Sequence, residues 1–486
     1  MTAASRLHVT LASSEIAPFA KTGGLADMVG SLSVALEKLN VRVTLIMPAY
    51  RSVLQGGFPV EATGLRFAVP LSNRKEEGSL LKVRTGSAVL VYLIQADKYF
   101  DRDYLYNTPE GDYPDNAERF IFFSRAILEI LKLDPPSILH CHDWQAALAI
   151  TFLRAQPYLY PQLALVKTIF TIHNLGYQGV FGQPDWHLLN LDREFFTLRY
   201  LEFYDRINFL KGAIIFADAI STVSPSYAEE IKTVEYSFGL EGVFQERASD
   251  LVGILNGADY GIWNPEIDPF IAKNYSLEDF SGKKNCKTDL QRRFKLVEEP
   301  LIPVLGMVSR LATQKGFDLL EKAIDKLLAR QVQFVLLGTG DRNYQEFFRQ
   351  IPNRYPGKAA VETTFDDSLA HQIVAGADIL LMPSRYEPCG LSQLYSFKYG
   401  TIPVVRATGG LKDTVAQFDA RTRQGTGFVF APYTVSAFLG AFDRALRFFP
   451  REELWQKLVK DAMAADFSWE HPGQAYLDLY RKLVKK

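Results

Sequence analysis

Lys21 precedes the glycine pair Gly23–Gly24 in the stretch SSEIAPFAKTGGLADMVGSL (13–32), and apolar residues follow at Leu25, Met28, Val29, Leu32, Leu36 and Leu39. That spacing predicts a helix beginning at the glycines. A helix start carries N–H groups without intrahelical partners and a partial positive charge. Glycines let a ligand approach the backbone and a lysine adds a full charge, so the chemistry is anion binding. Lys21 lies ahead of its glycines and GxxxxGK[ST] is absent from the stretch, which excludes a Walker phosphate loop. A solvated lysine on a glycine turn fits the same residues, so the stretch needs partners.

The second half of the chain supplies candidates. SRLATQKGFDLL (309–320) puts Arg310 and Lys315 in one loop between a strand-like run and a helix-like run. Arg grips phosphate oxygens with a planar fork and Lys acts as a point charge, so the pair suits a diphosphate; two surface cations fit equally. In ATGGLKDTV (407–415) a strand again runs into glycines, Gly409 and Gly410, at a helix start, and the anion-site logic repeats. In PSRYEPCGLSQLYSFKYG (383–400), Glu387 falls after a strand and before Gly390 and a helix. A carboxylate beside helix-start amides suits sugar hydroxyls, whereas a loop glutamate is usually just solvated.

The elements that must position these residues are βα units, read from short apolar runs followed by polar turns and helical periods. Strands are expected at 7–13, 41–48, 88–94, 137–142, 167–173 and 219–224, and again at 303–309, 332–340, 379–384 and 402–408. Open parallel sheets bind ligands at the C-terminal ends of their strands, where each candidate loop lies. ILNGADYGIWNPEIDP (254–269), dense in Gly, Asn, Asp and Pro, reads as a hinge. The tail predicts an amphipathic helix through Tyr476, Leu479, Tyr480 and Leu483. With 486 residues the chain exceeds one compact core, and the balance of 54 basic against 55 acidic side chains points to neither nucleic acid nor a membrane surface. Three scattered cysteines and an N-terminus without a long apolar run lead us to expect a cytoplasmic protein, and no stretch has the length of a transmembrane helix.

Taken together, KTGGLAD, HDW, TIHNLGYQG, ILNG, SRLATQKG, PSRYEPCGLSQLY and TGGLKDTV, in this order, resemble the bacterial glycogen synthases and plant starch synthases, glycosyltransferase family five. The resemblance runs from about residue 7 to the C-terminus. It implies the GT-B fold, an α/β architecture of two Rossmann-like domains facing across a deep cleft. The implied domains are 1–255 with the C-terminal helix 466–486, on the glucan side, and 256–465, which binds the donor. The implied reaction is a retaining transfer of glucose from ADP-glucose to the non-reducing 4-OH of an α-1,4-glucan, glycogen or a starch-like polymer, with no metal or other cofactor. Association with a glucan granule stays open.

The same resemblance implies the roles. Lys21 matches the lysine at the donor phosphate, with Gly23, Gly24 and Asp27 in its loop. Arg310 and Lys315 match the pair that neutralises the departing diphosphate, and Glu387 the glutamate near the donor glucose, with Cys389, Gly390, Leu391 and Ser392 beside it. His142 and Asn256 match residues that contact the glucose, and Glu15 and Asp115 match cleft carboxylates. His173 is a candidate acceptor contact or a satisfied rim histidine. Gly409 and Gly410 complete the donor side. Phe365 stands where bacterial relatives carry a tyrosine that stacks on adenine. Tyr395 holds the place where many related retaining transferases carry a second glutamate, as in this family; Gln145 replaces a histidine and Ser392 a threonine.

Other signals carry less. Asp101, Arg102 and Asp103 form a DxD in the wrong context and read as surface structure. His140 and His142 share a strand face without further ligands for zinc. Cys389 has no identifiable base and reads as packing or a donor contact. Tyr99, Phe100, Tyr104, Tyr106 and Tyr113 fit either a glucan-binding strip or core. Two rival functions stand beside the expected one: a catalytically silent glucan-binding homologue, and a GT-B transferase using UDP-glucose.

Overall fold

The computed structural model describes residues 6–84, 89–108 and 110–485. Residues 1–5 of the expected first domain, Ala88 of the expected strand 88–94, and Lys486 of the expected helix lie outside them. The chain divides into two compact units, the first holding Met1–Val223, Ala228–Leu255 and Trp469–Lys486, the second Ser224–Tyr227 and Asn256–Ser468.

Among the described residues the first unit is built on one nine-stranded sheet. From one edge its order is Leu251–Gly253, Ala219–Thr222, Lys167–Ile172, Ile138–His142, His8–Ala12, Arg42–Pro48, Leu90–Gln95, Arg74–Arg84 and Glu61–Leu71. The first seven strands pair in parallel, and the last two form an antiparallel hairpin along one edge. The central strands His8–Ala12 and Ile138–His142 are buried along their whole length, as a sheet covered on both faces requires. The chain runs outward from His8–Ala12 on one side and returns to Ile138–His142 on the other. These two neighbours therefore flank the point where strand order reverses, and there the carboxyl ends of an open sheet leave a crevice.

The second unit repeats the plan with a six-stranded sheet of order Ala359–Glu362, Gln333–Leu337, Val304–Val308, Ile379–Met382, Ile402–Arg406 and Phe428–Phe430, parallel throughout. Here the reversal falls between Val304–Val308 and Ile379–Met382.

Three differences from the sequence reading have physical causes. The expected hinge 254–269 is irregular, but it is no free linker. Trp263 is stacked between His371 and Tyr395, at centroid distances of 3.7 and 4.2 Å, and buried Asp268 accepts hydrogen bonds from Tyr399 (2.5 Å) and His371 (2.7 Å). Such stacked pairs contribute about 0.5–1.5 kcal/mol each beyond their burial, so the segment is part of the second unit's core. Tyr395, in the place of a second glutamate, is spent on that stack. The C-terminal helix starts at Glu470 rather than at 466 and belongs to the first unit, where Gly473 lies against Ala35 and Tyr480 reaches His140. The hairpin Glu61–Leu71/Arg74–Arg84 was missed because few of its residues are buried, so it lacks the apolar run of a buried strand.

Candidate active site

In the first unit the predicted helix begins at Gly24 and runs to Lys38, with Gly23 as its cap in extended backbone. The anion at its start is already there, supplied by the chain itself. The Glu15 carboxylate, just beyond the central strand, accepts the Thr22 N–H, the Thr22 hydroxyl (2.7 Å), the Gly23 N–H and the Tyr106 hydroxyl (2.6 Å). Burial pushes the Glu15 carboxyl above the ordinary range, while the hydrogen bonds from Tyr106 and Thr22 oppose the shift. Lys21 pairs with Asp27 on the first turn of the helix at 3.0 Å, and a third of its side chain stays open to solvent. The amides of Thr22 and Gly23, just ahead of the helix, thus hold Glu15, and the lysine side chain is the exposed group.

Beside this loop, His142 closes the neighbouring strand. Its Nδ1 shares a hydrogen bond with His173 Nε2 at 3.0 Å, while its Nε2 is buried with no partner among the described residues. Burial pushes His142 well below its usual range and His173 down to about 3, so both rings are neutral. His173 thus shares one ring nitrogen, Nε2, with His142. Asp143, a residue the motif HDW contains and the sequence reading left without a role, accepts the backbone N–H of His173 at 2.7 Å, and burial pushes its carboxyl up to about 7. It adopts a left-handed conformation (φ 54°), a strained state for a residue with a Cβ, which places the His142 strand end and the 173 loop together. His140 faces the same side, its ring 4.1 Å from that of His142, held by Tyr480 and Thr171.

Asp115 is tied to Arg102 at 2.5 Å, and Asp101 and Asp103 both hold Arg51, so the DxD is surface ion pairing. Of the aromatic cluster, Tyr99 and Phe100 are core, Tyr104 is half exposed, and Tyr106 is the phenol on Glu15. The sequence signal for Tyr106 was present only as one ring in a crowded segment.

In the second unit the two loops at the reversal point meet. Lys315 Nζ donates to both Glu387 oxygens, at 2.8 and 2.7 Å, and Ser384 adds a hydroxyl at 3.0 Å. The Glu387 side chain is 5% exposed and that of Lys315 21%, so the cation is the part that faces outward. Gly316 after Lys315 is left-handed (φ 81°), and a Cβ there would come within 2.1 Å of the Pro383 carbonyl; only glycine lets the two loops close on each other. Arg310 is exposed at the end of Val304–Val308.

The Gly409–Gly410 turn departs from expectation. The Gly410 N–H goes to the carbonyls of Glu387 and Pro388, and a Cβ at Gly410 would meet the Cys389 carbonyl at 2.1 Å. These glycines seat the 387–389 backbone rather than offering a second set of free amides. Asn256 is buried beside Cys389, donating its N–H to the sulfur, and its side-chain Oδ1 has no partner among the described residues. Burial pushes the Cys389 thiol up to about 12, which removes it as a nucleophile. Leu391 and Ser392 open the helix Ser392–Lys398, and Phe365 is 70% exposed in a loop beyond Ala359–Glu362. Among the described residues no group of three or more His, Cys, Asp or Glu could hold a metal ion, and no helix is long and apolar enough to cross a membrane.

Two units, each built on a largely parallel sheet with charged loops at its strand reversal, have the architecture of the GT-B class. Residues 8–246 match the starch synthase catalytic domain family and residues 290–458 the glycosyl transferases group 1 family. The glycogen synthase of Koribacter versatilis is 47% identical over 478 residues, 98% of each chain, and that of Syntrophotalea carbinolica 45% identical over 99% of each. The catalytic domain of starch synthase IV from Arabidopsis thaliana, solved with ADP and acarbose, superposes with a TM-score of 0.93 at 33% identity, covering 99% of this chain and 100% of that one. The chain belongs to the glycogen and starch synthase family and is a glucosyltransferase of that family. A sucrose-phosphate synthase from Thermosynechococcus elongatus, 18% identical with a TM-score of 0.61, shares the fold.

Proposed function

We propose that the chain transfers glucose from ADP-glucose to the non-reducing 4-OH of an α-1,4-glucan with retention of configuration. The observation that carries this reading is the Lys315–Glu387 pair at the strand reversal of the second unit, where a cation faces outward from a buried carboxylate. As the glycosidic bond to the diphosphate breaks, negative charge grows on the departing oxygen while the sugar becomes oxocarbenium-like. A cation already in place stabilises that charge without reorganisation. Lys315 and Arg310 take that role, and Lys21 is assigned to the donor phosphate by its family motif. Glu387 holds Lys315 and lies near the donor glucose. His142, neutral and with an unpartnered buried Nε2, contacts a sugar hydroxyl, and Asn256 Oδ1 offers a matching acceptor. Phe365 presents an open ring for the nucleobase. The first unit serves the acceptor and the second the donor. The reading assigns no step to a metal.

The test incubates the full chain with labelled ADP-glucose or UDP-glucose and glycogen, followed by chain-length analysis of the product. Label from ADP-glucose at the non-reducing ends of α-1,4 chains is the expected result. A strong preference for UDP-glucose overturns the donor assignment, and binding of glycogen with no transfer from either donor favours a silent glucan-binding homologue.

A further inference from the structure

We infer that Tyr106 is a positioning residue of the reaction: through Glu15 it latches the Lys21 loop in the conformation that receives the donor. The inference rests on the proposed use of ADP-glucose and adds to it a residue from a distant segment.

The latch can be followed atom by atom. An ionised carboxylate only accepts hydrogen bonds and offers about four lone-pair positions. Glu15 receives four donors: the Tyr106 hydroxyl and the Thr22 hydroxyl on Oε1, the Thr22 N–H on Oε2, and the Gly23 N–H. Because Tyr106 gives its proton to Glu15, the contact between Ser14 Oγ and Tyr106 Oη at 2.7 Å has Ser14 as donor. Strand end, loop and phenol are thus closed in one network with a single direction of donation.

Tyr106 is itself fixed from behind. Its carbonyl accepts the Tyr113 N–H at 3.1 Å and Asn116 Nδ2 at 2.9 Å. Buried Arg119 holds Asn116 Oδ1 at 2.7 Å and the Leu105 carbonyl at 3.0 Å. The phenol is therefore a rigid post. On the loop side, the Ala17 N–H donates to the Ala26 carbonyl, and Gly30 lets the helix approach Ala17, since a Cβ there would come within 2.8 Å of the Ala17 carbonyl. With Thr22 and Gly23 held inward, Lys21 leaves the loop at one angle and its ammonium sits by Asp27. Removing the phenol hydroxyl takes one donor from a buried carboxylate and frees Ser14, which loosens the Thr22 and Gly23 amides and blurs the position of Lys21.

The groups that face Glu15 are Tyr106 and Tyr50, with Asp143 from the neighbouring strand end. Tyr106 lowers the pKa of Glu15 and burial raises it, so loss of the hydroxyl moves it further up. A protonated Glu15 accepts fewer bonds, and donor binding then fails at a higher pH than in the wild type.

The experiment compares wild type, Tyr106→Phe, Glu15→Gln and the double variant as full chains. Initial rates are taken against ADP-glucose and glycogen from about pH 5 to about pH 9. Tyr106→Phe is expected to raise the KM for ADP-glucose about tenfold with kcat within about twofold, the loss of one hydrogen bond to a charged group. The KM for glycogen stays unchanged, and the acid limb of kcat/KM moves to higher pH. In the Glu15→Gln background the Tyr106→Phe substitution no longer moves that limb, which separates Glu15 from Asp143 as its source. An unmoved limb and an unchanged KM for ADP-glucose in Tyr106→Phe overturn the latch, as does a limb that still moves in the Glu15→Gln background. If the wild type uses no ADP-glucose, the donor reading fails separately. The latch is then judged by amide exchange in residues 14–25, which must accelerate in Tyr106→Phe without ligand.

Discussion

Replacing Lys315 by Met tests the centre of the second unit, because it removes the cation and keeps most of the stem. In the structure Lys315 Nζ lies 2.8 and 2.7 Å from the Glu387 oxygens, and Ser384 is the remaining side-chain donor at 3.0 Å. With Glu387 5% exposed, the substitution strands a carboxylate that one hydroxyl cannot satisfy. Breaking a buried pair from one side costs about 3–5 kcal/mol, and the 21% exposure of Lys315 places this one at the lower end, about 3 kcal/mol. Adding Glu387→Gln removes the stranded charge and recovers about 2 kcal/mol, so the cycle has a coupling of that size. Activity does not follow stability. Both variants lack the cation and lose about a hundredfold to a thousandfold in turnover with ADP-glucose. Denaturant midpoints and initial rates on the same preparations separate the two effects. A single variant as stable as the wild type refutes the buried pair, and unimpaired turnover takes Lys315 out of the chemistry.

Three further outcomes follow from the geometry. Lys21→Ala should raise the KM for ADP-glucose, with the protein's melting temperature nearly unchanged, since its pair with Asp27 is partly exposed; steady-state kinetics and a thermal melt check both. Gly410→Ala forces a Cβ to within 2.1 Å of the Cys389 carbonyl, so it should cost more than about 3 kcal/mol and abolish transfer, whereas Gly23→Ala, with nothing within 4 Å of its Cβ, should be far milder in the same denaturation assay. Asp143 has its carboxyl raised to about 7 in the folded chain, so the folded state holds a proton that the unfolded state releases near the ordinary carboxylate range. Its stabilising contribution is therefore full below the unfolded pKa and is lost as pH rises to about 7; Asp143→Asn should flatten that fall, which denaturant midpoints across the range will show.

By itself the sequence determined the parallel-sheet class and the start of the helix after Lys21. Buried parallel strands write themselves as continuous apolar runs, and a helix as a period; both are local signals. The same holds for the residue types at the strand ends, and their order along the chain sufficed to place it beside its family. Strand order was not legible, because it is fixed by pairing between distant segments. Only the tertiary structure brought Glu387 onto Lys315 across a separation of 72 residues, and Tyr106 onto Glu15 across 91. It also decided partners in the glycine turns: the amides of Thr22 and Gly23 go to Glu15, and that of Gly410 to neighbouring carbonyls. An amide's partner is whatever the fold delivers within hydrogen-bond reach. In this chain two loops that read alike in sequence received different partners, a carboxylate in one and a neighbouring backbone in the other.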